Sequence, residues 1–268
     1  MKLSRLTATV GAFAVGAVLA LTGAGTAHAT ENSAGPAYVA LGDSYASGVG
    51  AGSYDSSSGG CKRSTKAYPA LWAASHSPSS FNFTACSGAK TADVLNNQLG
   101  PLNSGTGLVS ISIGGNDAGF ADVMTTCVLP GESACLNKIA SARAFAETTL
   151  PGRLDQVYNA IGAKSPSAHV VVLGYPRFYK LNGSCIAGLT EAERSAINGA
   201  ADLLNSITAK RAADHGYTFA DVTGRFSGHE ICSGSAWLNS LTWPIDDSYH
   251  PNAAGHSGGY LPAFSAAA

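Results

Sequence analysis

A serine that could act as a nucleophile follows the first predicted strand of the chain. The apolar run at residues 38–41 predicts a buried strand, and Gly42 and Gly48 break the pattern on either side of Ser44. Ligands of open α/β sheets bind just beyond the carboxyl ends of strands, where this serine would lie. A serine hydroxyl is a weak nucleophile unless a base takes its proton, so this chemistry requires a histidine. Without one, the stretch is a glycine-rich turn with a solvated serine.

The histidine best placed to be that base is His250. Among the six histidines after residue 29, it alone has a carboxylate three residues before it, Asp247, and Pro251 follows it. A carboxylate so placed could hold Nδ1 of the imidazole and direct Nε2 toward Ser44, as in a serine-histidine-acid arrangement. The alternative is an ordinary surface histidine.

Two further predicted strands end in small or polar residues. Residues 81–86 lead into Gly88, and residues 108–113 lead into Gly114-Gly115-Asn116-Asp117. The carboxyl ends of parallel strands meet at one edge of a sheet, so Ser44, Gly88 and Asn116 are expected to converge near its centre.

The elements that must position these residues alternate between strand and helix. Such alternation predicts an α/β fold with a parallel sheet of about five strands, covered by helices on both faces. The predicted strands are residues 38–41, 81–86, 108–113, 169–173 and 217–222, and the predicted helices are 67–76, 91–99, 136–163, 190–214 and 252–259. Residues 127–135 are expected to form a loop. No internal linker divides residues 30–268, which we expect to form a single domain.

A second serine motif must be weighed against Ser44. Residues 255–259 spell Gly-His-Ser-Gly-Gly, which matches the GxSxG nucleophile elbow of α/β-hydrolases. That elbow requires an acid and a histidine later in the chain, and only nine residues remain. We therefore reject Ser257. The Ser44 stretch also departs from the elbow, because Ala46 stands where its second glycine would be.

Composition excludes several classes of function. Residues 1–29 have a basic start, an apolar run and Ala27-His28-Ala29, which predicts a cleaved secretory signal peptide and an exported, extracellular protein. Removal of this leader leaves 14 of the 16 basic residues against 17 acidic ones, a net charge of −3 that argues against a nucleic-acid partner. No later stretch approaches the roughly 20 apolar residues of a membrane span.

All six cysteines follow the leader. An even count in an exported chain favours three disulfides, although six cysteines permit 15 pairings. Spacing suggests only one pair, Cys127 with Cys135, which flank Pro130-Gly131. The zinc alternative lacks support, since the chain has no CxxC motif and no histidine pair at ligand spacing.

The motifs together resemble those of a known family. Gly42-Asp43-Ser44-Tyr45, Gly88, Gly114-Gly115-Asn116-Asp117 and Asp247-Ser248-Tyr249-His250 stand in the order of the four sequence blocks of the GDSL, or SGNH, hydrolases. The wider chain is similar to the secreted lipases and esterases of streptomycetes. This resemblance implies a three-layer α/β/α, flavodoxin-like fold.

The resemblance also assigns roles to the site residues. It implies that Ser44 is the nucleophile and His250 the general base and acid, with the backbone amides of Ser44 and Gly88 and the side-chain amide of Asn116 forming the oxyanion hole. Asp247 fits the DxxH block, yet in some relatives a backbone carbonyl orients the histidine, here that of Ser248. Tyr45 replaces the leucine of the motif's name, a change expected to affect packing more than chemistry.

Three disulfides follow from the same resemblance, namely Cys61–Cys86, Cys127–Cys135 and Cys185–Cys232.

The resulting hypothesis is a secreted, monomeric carboxylic ester hydrolase that needs no cofactor or metal. Its substrates would be fatty-acyl esters such as glycerides and aryl esters, cleaved through an acyl-serine intermediate. Three aromatic residues could line an acyl groove or be ordinary core or rim residues: Phe120, Trp243 and Tyr249. Because His250 must be neutral to act as a base, activity should fall below a pH near the ordinary imidazole pKa of about 6.5. The alternatives are phospholipase A-type activity, carbohydrate O-deacetylase activity, or a non-catalytic secreted binding module.

Overall fold

The computed structural model describes residues 35–129, 131–183, 185 and 188–268. The signal peptide predicted over residues 1–29 lies outside the described residues.

A five-stranded parallel sheet forms the centre of the fold. The strands are β1 (Gly35–Gly42), β2 (Pro78–Phe83), β3 (Thr106–Ser112), β4 (His169–Leu173) and β5 (Thr218–Ala220), in the spatial order β2-β1-β3-β4-β5. Gly42 pairs with Ser112, so β1 and β3 end side by side in the middle of the sheet. The α/β class with about five parallel strands is thus confirmed.

Helices cover both faces of the sheet. They are α1 (Ser44–Ser47), α2 (Tyr68–His76), α3 (Thr91–Asp93), α4 (Phe120–Val128), α5 (Glu132–Thr148), α6 (Leu150–Lys164), α7 (Glu191–Asp214) and α8 (Leu261–Ala267). Short π-helical turns, Val94–Gln98 and Gly255–Tyr260, continue α3 and precede α8. Residues 38–42 of β1 are all buried, as expected for a strand covered on both sides.

Tyr38 shows how one face of the sheet is packed. Its ring lies 5.2 Å from that of Trp72 in α2 and 5.5 Å from that of Phe264 in α8, and its hydroxyl lies 2.7 Å from that of Ser110 in β3. The buried hydroxyl therefore has a partner, which avoids the cost of an unsatisfied polar group.

The segment from Cys127 to Cys135 differs from the predicted loop. Cys127 lies in the last turn of α4 and Cys135 in the first turns of α5, so little of the segment is non-helical. Pro130-Gly131 signalled a break in the chain, but the helices on either side extend closer to it than the predicted loop allowed. The three disulfides pair as the family resemblance implied, and the described part of the chain has no free cysteine.

Candidate active site

Ser44 is held at the carboxyl end of β1 by a tight turn into α1. Gly42 has a φ of +126°, and a Cβ there would clash with the Ser112 carbonyl, so the turn requires glycine. Gln98 holds the same residue from the side, accepting from its N–H at 2.7 Å and donating to its carbonyl at 2.8 Å. Asp43 then caps α1 by accepting from the Tyr45 N–H at 2.9 Å. The first residue of α1, Ser44, is fixed by these contacts.

His250 lies against Ser44 although 206 residues separate them in sequence. Its Nε2 is 2.8 Å from the Ser44 Oγ, and its Nδ1 is 2.8 Å from the Ser248 carbonyl oxygen. A carbonyl can only accept a hydrogen bond, so the proton of the neutral ring lies on Nδ1 and Nε2 is left to accept from the Ser44 hydroxyl. This is the protonation state that a general base needs.

The Asp247 carboxylate makes no hydrogen bond to the imidazole, whose Nδ1 contacts the Ser248 carbonyl, the alternative that the resemblance left open. The carboxylate accepts from the Tyr54 hydroxyl at 2.9 Å and lies 3.7 Å from the Lys62 ammonium. The reason is the backbone: a short helical turn ends at Asp247, and Tyr249 then adopts a φ of +62°, which brings the ring of His250 back over the carbonyl of Ser248.

The three donors expected of an oxyanion hole follow the carboxyl ends of β1, β2 and β3, and Ser44 and Asn116 line one cleft while Gly88 lines another. Among the described residues, the backbone amides of Ser44 and Gly88 have no hydrogen-bond acceptor. The Asn116 side-chain amide donates one proton to the Ala89 carbonyl at 3.0 Å, which keeps it next to the Gly88 turn and leaves its second proton free. Gly88 itself has a φ of +75°, a conformation that favours glycine.

Burial sets the ionisation of the site. It lowers the pKa of His250 to about 4, against the opposing effects of the Ser248 hydrogen bond and the Asp247 charge. The acid limit of activity is therefore expected near pH 4, not near the 6.5 of an unperturbed ring. Burial raises the pKa of Asp43 to about 7, although the Tyr175 hydroxyl and the Tyr45 N–H both donate to its carboxylate.

An apolar cleft opens beside Ser44 and Asn116. It runs between α4, α5 and α7, and small residues leave its space open: Ala142, Ala146, Ala200 and Ala201. Phe120 lines it, as the sequence suggested. Trp243 does not, because it is 86% exposed, and Tyr249 is buried outside it.

Comparison with known proteins identifies the family. The profile of the GDSL-like Lipase/Acylhydrolase family matches residues 40–257. The chain belongs to this family. A lipase of Streptomyces rimosus and lipase 1 of Streptomyces coelicolor are each 65% identical to it, over the full length of both chains. The membership makes the chain a GDSL-type carboxylic ester hydrolase.

Solved structures agree with the family assignment. The crystal structure of an extracellular lipase from S. rimosus is 69% identical with a TM-score of 0.86, and covers 87% of this chain and all of its own. That of phospholipase A1 from Streptomyces albidoflavus has the same identity and TM-score over 88% of this chain and all of its own. The three-layer fold expected of a GDSL hydrolase is thereby confirmed.

Sequence reasoning missed three residues that position this GDSL site. Tyr175 donates to the Asp43 carboxylate at 2.6 Å, Gln98 holds Gly42, and the Tyr45 hydroxyl donates to the Tyr249 carbonyl at 2.6 Å. None carries a local pattern of its own, because each acts on a residue more than 50 positions away.

The described residues contain neither a helix long and apolar enough to cross a bilayer nor a cluster of acidic, histidine and cysteine side chains arranged to hold a metal ion.

Proposed function

We propose that the protein is a secreted lipase or esterase that hydrolyses fatty-acyl esters through an acyl-enzyme on Ser44. The observation that carries this is the 2.8 Å contact between Ser44 Oγ and His250 Nε2 at the end of an apolar cleft. Export is supported by the leader over residues 1–29 and by the extracellular relative. We expect residues 30–268 to act as one domain and as a monomer, without a cofactor or metal.

The reaction begins as Ser44 Oγ attacks the ester carbonyl carbon and His250 Nε2 takes the hydroxyl proton. The oxygen that gains the negative charge accepts hydrogen bonds from the amides of Ser44 and Gly88 and from Asn116. Removal of one such donor typically costs about 3 kcal/mol of transition-state stabilisation. Collapse of the intermediate expels the alcohol, which takes the proton from His250. Water, deprotonated by the same nitrogen, then releases the fatty acid and restores Ser44.

The Ser248 carbonyl, in place of Asp247, keeps the imidazole in this role. It accepts from Nδ1 and stabilises the cation that forms when Nε2 takes the proton. Phospholipids are a second candidate substrate, because a relative of 69% identity is a phospholipase A1. An acyl ester of glycerol presents the same carbonyl chemistry in either lipid.

The test is Ser44→Ala measured on aryl esters. We expect kcat to fall at least about 1,000-fold, because the hydroxyl that forms the acyl-enzyme is gone. Ser257→Ala is the matched control, since Ser257 is the exposed serine of the rejected elbow motif and should retain wild-type rates. A Ser44→Ala variant with most of its rate would refute the mechanism.

A substrate panel tests the choice of ester. Aryl esters, glycerides, phosphatidylcholine and acetylated xylan should be compared under one set of conditions. Turnover confined to the acetylated polysaccharide would favour a deacetylase, and no turnover of any ester would favour a binding module.

A further inference from the structure

The residue before His250 has an unusual backbone. Tyr249 has a φ of +62°, in the left-handed region that residues with a Cβ rarely adopt. Such a conformation persists only where its surroundings hold it. Since this peptide determines where the His250 ring points, whatever holds it also sets the geometry of the ring.

Two sets of contacts hold the Tyr249 peptide. Asn239 pairs with the backbone, accepting from the Tyr249 N–H and donating to the His250 carbonyl, each at 2.9 Å. The Tyr249 carbonyl accepts from the Tyr45 hydroxyl at 2.6 Å. The second contact comes from α1, the helix that begins with Ser44.

The Tyr45–Tyr249 and Ser44–His250 hydrogen bonds close a ring that contains both reacting groups. Ser44 and Tyr45 are adjacent in the chain, and so are Tyr249 and His250. One hydrogen bond joins Ser44 to His250 and the other joins Tyr45 to Tyr249. A shift of the histidine segment relative to the nucleophile would therefore break the Tyr45 bond.

The ring of Tyr45 adds a packing contact. It is 3% exposed, and its centroid lies 5.2 Å from that of His250 and 5.0 Å from that of Tyr175. Burial raises the pKa of Tyr45 well above the ordinary value of 10, so the hydroxyl stays protonated and able to donate.

We propose that Tyr45 is a positioning residue, whose hydroxyl fixes the Tyr249 carbonyl and thereby aims His250 at Ser44. This inference rests on the proposed roles of Ser44 and His250. The inference also gives a role to Tyr45 at the position where the GDSL motif has leucine. Leucine can fill the space but has no proton to donate, so the substitution is more than a change in packing.

Tyr45→Phe is the direct test because it removes the hydroxyl and keeps the ring. We expect kcat for aryl acetates to fall about 10- to 100-fold with KM unchanged, since a displacement of about 1 Å between reacting groups can cost about 100-fold. The rate at which an aryl phosphonate labels Ser44 should fall by the same factor, because that reaction reports activation of the nucleophile without turnover. Tyr45→Leu should show at least the same loss.

Tyr260→Phe is the matched control. Its side chain is fully buried, its hydroxyl donates to the Gly174 carbonyl at 2.9 Å and not to the histidine segment, and its ring lies 6.3 Å from that of Tyr45. Both Phe variants should lower Tm by a similar few degrees, while Tyr260→Phe keeps kcat within about twofold. Equal losses of kcat in the two variants would overturn the inference, as would a wild-type labelling rate in Tyr45→Phe.

A failure of the Tyr45 inference can be distinguished from a failure of the proposed function. If Ser44→Ala is inactive and Tyr45→Phe is fully active, only the role of Tyr45 is wrong. If Ser44→Ala is active, the mechanism itself is wrong.

Discussion

Blocking the apolar cleft should convert the enzyme into one that prefers short acyl chains. Ala146 lies in α5, is 4% exposed and lines the cleft beside Ser44. In Ala146→Phe, the new ring would fill space that an acyl chain needs. Ala146 is buried, so the larger ring must either enter the cleft or displace its neighbours, and a Tm close to that of the wild type would show that the cleft accepts it.

The expected loss in kcat/KM follows from the apolar surface that the acyl chain buries in the cleft. Each methylene transferred from water to an apolar site is worth about 0.8 kcal/mol, which corresponds to about fourfold in kcat/KM. A block that excludes three methylenes should thus lower kcat/KM by about 60-fold for a long chain and leave an acetate almost unaffected. Ala146→Leu, with a smaller side chain, should give an intermediate loss.

The assay is kcat/KM for p-nitrophenyl acetate, butyrate, octanoate and decanoate, with Tm as a check on folding. Ala144→Phe is the matched control, because Ala144 is exposed on the same helix. An unchanged ratio of decanoate to acetate rates in folded Ala146→Phe would refute the assignment of this cleft to the acyl chain. A loss that was equal for all four esters would point to damage at Ser44 instead.

Three further predictions concern the protonation of His250 and the carboxylate of Asp247. The activity of the wild-type enzyme should be lost around pH 4, because burial lowers the pKa of His250 to about 4, whereas a change in rate near pH 7 would belong to Asp43. Complete loss of activity by pH 5.5 would show that the ring is solvated. The same lowered pKa makes the free energy of unfolding fall in acid. The neutral ring contributes fully to this free energy above the unfolded pKa of about 6.5, and the contribution is lost as pH drops through about 4. Asp247→Asn should keep kcat within about threefold, because that carboxylate contacts Tyr54 and Lys62 and the amide retains an acceptor; a loss of about 10,000-fold, as for the acid of a serine-histidine-acid triad, would show that Asp247 does orient His250.

The fold could be predicted because its signals are local. The central strands β1, β3 and β4 are short buried apolar runs that stop at glycine or a polar residue, whereas β2 is only partly buried and begins three residues before the predicted strand at 81–86. The strand ends nevertheless marked the positions of Ser44, Gly88 and Asn116. Thr190 and Glu193 likewise form a capping box at the start of α7, where the helix over residues 190–214 was predicted to begin. Signals of this kind depend only on neighbours in the chain.

The details of the site could not be predicted because they depend on distant contacts. Asp247 has the spacing of a histidine partner, but Tyr54, nearly 200 residues earlier, binds its carboxylate. The cleft is made by alanines on α5 and α7, and an alanine gives the same local signal whether it lines a space or packs in a core. The aromatic side chain of Trp243 suggested a role in substrate binding, yet it lies on the surface.

The partner of Nδ1 has a consequence for the conditions under which this protein can work. A carboxylate that steadies an imidazole loses its charge in acid, and the steadying contact weakens with it. The peptide oxygen of Ser248 has no proton to gain over the same range. The acceptor that orients the His250 ring therefore does not titrate, which would suit an enzyme secreted, as we propose, into surroundings whose pH the cell does not control.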